Sequence, residues 1–251
     1  MIDYSASACM FEIRVNDYPV ITMNIEGQIA TMTPINFAIL KSGLQSLSVK
    51  ILPILGTLKL DPDADLKFNI KLFDVANDFV FKNQFEEYQS EKIGRTKKLP
   101  ILSHVSSFTA EVPYKSEAWQ KGTNLKDIKD LLPKLKKAYV EIGILINNKK
   151  YEAFKEKIAK REKYMSNSMY LSKQESDKRV NMLIKDFDSG FKVMPLSNEV
   201  ILQIYSNSKV AAIKKPNGES ALYLYNKETK EELMLDLTFY ISEGKTEFEV
   251  I

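Results

Sequence analysis

Two runs of strict alternation within residues 33–75 constrain this chain more than any other feature. Leu47, Val49 and Ile51 alternate with Ser48 and Lys50, and Leu66, Phe68, Ile70 and Leu72 alternate with Lys67, Asn69 and Lys71. A period of two belongs to a strand with one buried face. Ser42-Gly43 supplies a turn before the first run. Pro53 ends that run, because proline cannot donate to a ladder, and Asp61-Pro62-Asp63 turns the chain into the second. Two such runs split by polar punctuation predict antiparallel strands of a β-sandwich.

The flanking sequence extends this pattern. Phe11, Ile13 and Val15 predict a first strand, Asn16-Asp17 with Tyr18-Pro19 a turn, and 20–25 a second strand ended by Gly27. Residues 29–32 allow a short further strand. Residues 74–92 hold Phe79, Phe81, Phe85 and Tyr88, and both strand and helix fit them. Residues 94–100 read as a basic loop, and 103–112 return to strand period. The expected N-terminal domain, 1–112, is therefore an antiparallel β-sandwich of immunoglobulin-like or C2-like type.

A polar stretch at 113–123 is the expected linker, ending in an N-cap candidate at Thr123 or Asn124. Helical spacing follows. Leu125, Ile128, Leu131 and Leu132 share a face, Pro133 kinks or restarts the helix, and Leu135, Ala138, Tyr139, Ile142, Leu145 and Ile146 continue it. Asn147-Asn148 marks a cap or turn. Tyr151, Phe154 and Ile158 form another stripe, and a further helix is expected over 176–187, stopped by Asp188-Ser189-Gly190. Five short apolar runs between 200 and 251 are separated by turn signals, the clearest being Asn217-Gly218. The expected second domain, 124–251, is α+β: helices, then a five-stranded antiparallel meander.

Composition narrows the function classes. The chain has 251 residues, 44% of them hydrophobic, enough for packed cores. It has no run of about 18 apolar residues that would span a membrane as a helix. The first residues lack the basic and apolar regions of a secretory signal, and Ala8-Cys9 has no apolar segment before it to make a lipoprotein site. With one cysteine, Cys9, no internal disulfide can form; a reducing, cytoplasmic setting is expected. Charge is uneven: 115–163 carries 14 basic against 7 acidic side chains, while 1–114 and 164–251 each carry 11 against 13. A basic middle attracts anionic partners, although a solvated lysine-rich helix face has the same composition.

Reactive constellations are few. His104, the single histidine, sits among Ser103, Ser106 and Ser107, but no G-x-S-x-G accompanies it. One Cys and one His cannot build a Cys/His zinc site within the chain. No Walker motif or G-x-G-x-x-G occurs, and no cofactor is expected. Asp61, Asp63 and Asp65 have calcium-loop spacing without the EF-hand glycine and distal glutamate, and read better as a turn. Lys134, Lys136, Lys137, Lys149, Lys150, Lys155, Lys157, Lys160 and Arg161 could meet phosphates, but Glu152, Glu156 and Glu162 are interleaved with them. No aromatic–basic platform appears, so nucleic acid is not the expected partner.

Three segments, FEIRVNDYPVITMNIEGQ, TPINFAILKSGLQSLSVKILP and GFKVMPLSNEVILQIYSNSKVAAI…GESALYLY, together resemble a group of uncharacterised bacterial proteins with an N-terminal β-sandwich and a C-terminal α+β part. The resemblance rests on structural residues such as Asn16, Pro19, Gly27, Pro34, Asn36, Gly43 and Gly218. It implies an accessory or immunity protein of a bacterial toxin system. The expectation is a non-enzymatic protein that binds a cognate toxin or other protein, with no membrane or metal involved. The expected partner surface is helical: Trp119, Lys134, Lys137, Tyr139, Lys149, Lys150 and Tyr151. A second expectation is a ligand cavity lined by Tyr205, Tyr223, Tyr225 and Tyr240. A hydrolase built on His104 ranks last.

Overall fold

The computed structural model describes residues 1–94 and 99–251. The chain divides into two compact units, 1–115 and 116–251. Most of the basic loop expected at 94–100 lies outside the described residues. Unit one contains β1 (Ile2–Val15), β2 (Tyr18–Thr33), β3 (Gly43–Leu52), β4 (Asp65–Asp74), β5 (Val80–Gln89) and β6 (Leu102–Ala110). The expected strand run 20–25 and the short run 29–32 belong to one strand, β2, which continues past Gly27 with a shift of register there.

The β1–β2 hairpin turns on Asn16 and Asp17, both left-handed at φ 52° and 60°, the conformation a two-residue turn demands. Asn16 also ties the turn to residues outside it. Its amide donates to Ala38 O (2.9 Å) and Gln45 Oε1 (2.7 Å), and Ser46 N donates to its Oδ1. Halfway along β1 the pattern of burial slips by one. Ile2, Tyr4 and Ala6 are buried, then Cys9, Phe11, Ile13 and Val15. The slip falls at Ala8, which takes φ 46° and stands opposite two residues of β2, Glu26 and Gly27, in a β-bulge. A bulge bends the paired strands and disturbs the alternation of their faces. The bend lets β1 serve two neighbours: β4 pairs with residues 2–7 and β3 with 10–15. Outside these, β5 pairs with β4 and β6 with β3.

All six strands thus belong to one antiparallel sheet that curls into a nearly closed barrel, rather than to two separate sandwich sheets. The register shift at Ala8 falls where β1 passes from pairing with β4 to pairing with β3. Its interior holds Phe11, Ile13, Leu47, Ile51, Leu66 and Phe68, all fully buried. Across the seam between β5 and β6, Tyr88 stacks on His104 with ring centres 4.4 Å apart, and Phe85 lies 6.5 Å from Phe108.

Unit two contains α1 (Leu131–Asn147), α2 (Tyr151–Ser168) and α3 (Lys173–Asp188), then β7 (Phe191–Val193), β8 (Ile201–Tyr205), β9 (Val210–Lys214), β10 (Tyr223–Asn226), β11 (Glu232–Met234), β12 (Phe239–Tyr240) and β13 (Glu249–Val250). Residues 125–127 form a 3-10 turn capped by Asn124, so Pro133 stands in the first turn of α1, where it costs no hydrogen bond. Ser172 and Glu175 form a reciprocal capping box that starts α3.

The expected five-stranded meander is two sheets, β11-β10-β7 and β13-β12-β9-β8. The run 233–241 breaks between Met234 and Phe239, so its ends join different sheets. Tyr139 on α1 helps hold this division: its hydroxyl donates to Leu237 O (2.7 Å) and accepts from Ile213 N (3.1 Å). Gly143 allows α1 to approach β7, since a Cβ there would stand 3.1 Å from Val193.

Candidate functional site: an exposed apolar arm

Of the residues expected to bind a partner, Trp119 and Tyr139 lie below the surface and the lysines on it. Tyr139 is core, its ring centre 4.8 Å from that of Phe239. Trp119 is also buried, edge-on to Tyr164. Neither ring is presented to solvent. Lys134, Lys137, Lys149 and Lys150 are exposed. Lys149 pairs with Asp188 at 2.7 Å, and Tyr151 donates to the same carboxylate at 2.8 Å. Those two hydrogen bonds hold the Asp188 carboxyl below its ordinary value and raise Lys149. This cluster ties the α1–α2 corner to the end of α3, a structural role.

The other candidates also separate. Tyr205 and Tyr240 belong to one small sheet, Tyr223 and Tyr225 to the other. Tyr205 and Tyr240 are buried, and Tyr240 accepts from Lys160. Asp61 caps Asp63 N within its turn, while Asp65 accepts from Gln89 and Ser90. Among the described residues no three acidic, histidine or cysteine side chains group to hold a metal ion. Cys9 is buried, and burial pushes its thiol up to about 11. His104 Nε2 and Ser106 Oγ are buried on the inner side of β6 and have no hydrogen-bond partner among the described residues. Among the described residues no helix is long and apolar enough to cross a membrane.

One surface does stand out, and it is the tip of the β4–β5 ribbon. β4 pairs with β1 only as far as Ile70, and the last link is Lys71 N donating to Met1 O. Beyond this, residues 72–83 continue as an arm in which Leu72–Asp74 pairs with Val80–Asn83 and a 3-10 turn at Val75–Asn77 begins the tip. By strand alternation Leu72 and Val80 lie on one face, Phe73 and Phe81 on the other, with cross-strand pairs Asp74–Val80 and Phe73–Phe81. Phe73 and Phe81 meet edge to face at 6.0 Å. Phe79 is 59% exposed, Val75 55% and Phe81 53%, and Leu72 and Val80 are also exposed.

An exposed apolar surface of this kind is unfavourable for an isolated chain. Burying a side chain such as Phe or Leu is worth about 1.5–3 kcal/mol each. Contiguous exposed apolar residues mark interaction surfaces. The backbone carries a second sign. Asp78 and Phe79 are both left-handed, at φ 54° and 56°. Asp tolerates that region, but a bulky aromatic adopts it against a steric cost. The arm thus holds Phe79 outward at the expense of its own backbone.

Charge on the arm is asymmetric. Asn77 donates to Asp74 at 2.7 Å and Lys82 stands 3.3 Å away, which together hold the Asp74 carboxyl below its ordinary value. Asp78, at the apex, is exposed and forms no ion pair among the described residues. Sequence reading missed this site because aromatic residues usually signal core. The signal available was in 72–81, LFDVANDFVF, where apolar residues fall on both phases of the strand period and no glycine serves the turn. No protein-family model, curated protein or solved structure matches this chain.

Proposed function

We propose that this chain is a non-enzymatic protein-binding protein, most concretely an immunity protein that neutralises a cognate bacterial toxin by direct binding. The observation that carries the binding role is the arm at 72–83, with exposed apolar side chains on both faces and a phenylalanine held in a strained turn. Such a surface gains free energy only when a partner covers it. The toxin-system reading adds the resemblance of the opening, middle and closing segments. Neutralisation by covering or blocking needs complementarity rather than a reactive cluster.

The test is an affinity pull-down of the tagged chain from its native host, with a calcium-chelated control, followed by co-expression of any recovered protein with and without this chain. One stoichiometric partner, toxic alone and harmless with this chain, is the expected result. Recovery of no protein partner overturns the binding role, and a harmless partner overturns the immunity role alone.

A further inference from the structure

We infer that the β4–β5 arm enters a cleft in its protein partner, a cleft with apolar walls on both sides and an arginine or lysine at its floor facing Asp78. This rests on the protein-binding reading above. Three observations select such an occupant.

The first is that the arm is apolar on both faces. A flat surface covers one face of a two-stranded ribbon and leaves the other in water, whereas a cleft covers Leu72 and Val80 on one side and Phe81 on the other. The arm also projects beyond the last β1 pairing, so a partner reaches both faces without displacing a strand of the sheet.

The second is the apex charge. Asp74 brings its own counter-charge in Lys82, so it can be covered at small cost. Asp78 brings none among the described residues. A partner that buries it must supply a cation or leave a charge buried and unpaired, which is strongly unfavourable.

The third excludes rival occupants. A lipid bilayer would also cover both faces, but insertion would lead with the Asp78 carboxylate into hydrocarbon. A second copy docking arm to arm would bring two Asp78 carboxylates towards one another, and like charges disfavour that symmetric contact.

The experiment places a photo-crosslinking benzoylphenylalanine at Phe79 in the full chain, in its native host, and maps the crosslinked peptide. The same crosslinker at Lys137 reports on the helical surface. One protein, joined through a concave site that contains an arginine or lysine, is the expected result. Asp78→Lys is expected to lower the crosslink yield about tenfold or more, the scale of losing a buried charge contact. Asp78→Asn should lower it less. Asp78 is exposed, and circular dichroism of both variants checks that the fold is kept. Crosslinks scattered over many proteins, to another copy of this chain or to lipid overturn the inference, as does a yield indifferent to Asp78→Lys. Co-sedimentation of the chain with phosphatidylcholine–phosphatidylglycerol vesicles overturns it in favour of a bilayer. A partner captured through Lys137 but not through Phe79 removes the arm and leaves the protein-binding reading standing. No protein captured at either position removes both.

Discussion

Phe79 and Tyr139 show two opposite uses of an aromatic side chain. Phe79 sits at φ 56° with most of its surface in water, so its backbone cost is not offset within the chain. Phe79→Gly removes the steric penalty and an exposed apolar group together. It is expected to raise stability by about 1 kcal/mol, seen as a higher urea midpoint, while weakening partner capture. Tyr139 is the reverse, with ring and hydroxyl both spent on the core. Tyr139→Phe keeps the ring but strands Ile213 N–H and Leu237 C=O. The expected loss is about 1–3 kcal/mol in the same urea experiment. Residue type alone gave little warning of this split. Helical spacing placed Tyr139 on the apolar face correctly, but nothing in the sequence said that its hydroxyl was needed between two backbone groups. The aromatic residues of 79–88 were equally visible, yet fitted both helix and strand.

At the scale of elements, local chemistry was the readable part. Asn16-Asp17, Ser42-Gly43, Pro53 and Asp61-Pro62-Asp63 all mark turns or strand ends where the sequence placed them. The start of α1 was legible only as a choice: Pro133 was expected to kink or restart a helix, and the helix begins at Leu131. Long-range consequences were not readable. β1 looked like a five-residue strand because its buried positions change phase at Ala8, which hides Ile2, Tyr4 and Ala6 from a single period-two count. The C-terminal meander was legible in part: its antiparallel hairpins β8–β9 and β10–β11 form, but turn signals do not fix which sheet each strand joins. The α3 start is testable at this scale. Ser172→Ala removes the side chain that accepts from Glu175 N, and Glu175 loses its hydroxyl partner. The expected cost is about 1 kcal/mol, read as faster amide exchange in the first turn of α3 with β1–β6 unchanged.

At the scale of the whole molecule, each unit has its own core and its own response to conditions. In unit two, Glu249 is the carboxyl held down furthest among the described residues. Burial alone would raise its carboxyl, but hydrogen bonds from Lys160, Lys245, Ser242 and Tyr240 outweigh that and hold it down at about 2. The unfolded carboxyl titrates near 4.5, so the unfolded chain takes up this proton first as pH falls. The stabilisation is therefore complete above about pH 4.5 and is lost as pH drops towards 2, an effect of about 2 kcal/mol once solvent screening at this partly exposed group is allowed for. Glu249→Gln should lower stability at neutral pH and flatten its decline between pH 5 and pH 2.5, as followed by urea midpoints. In unit one, the arm at 72–83 is the feature with no internal purpose, and a binding role for the molecule turns on it. Amide hydrogen exchange on the full chain, with and without the protein it captures, tests that role most directly. Protection concentrated at 72–83 is the predicted result. Protection of the α1–α2 surface around Lys134, Lys137 and Lys150, with 72–83 unchanged, would contradict it.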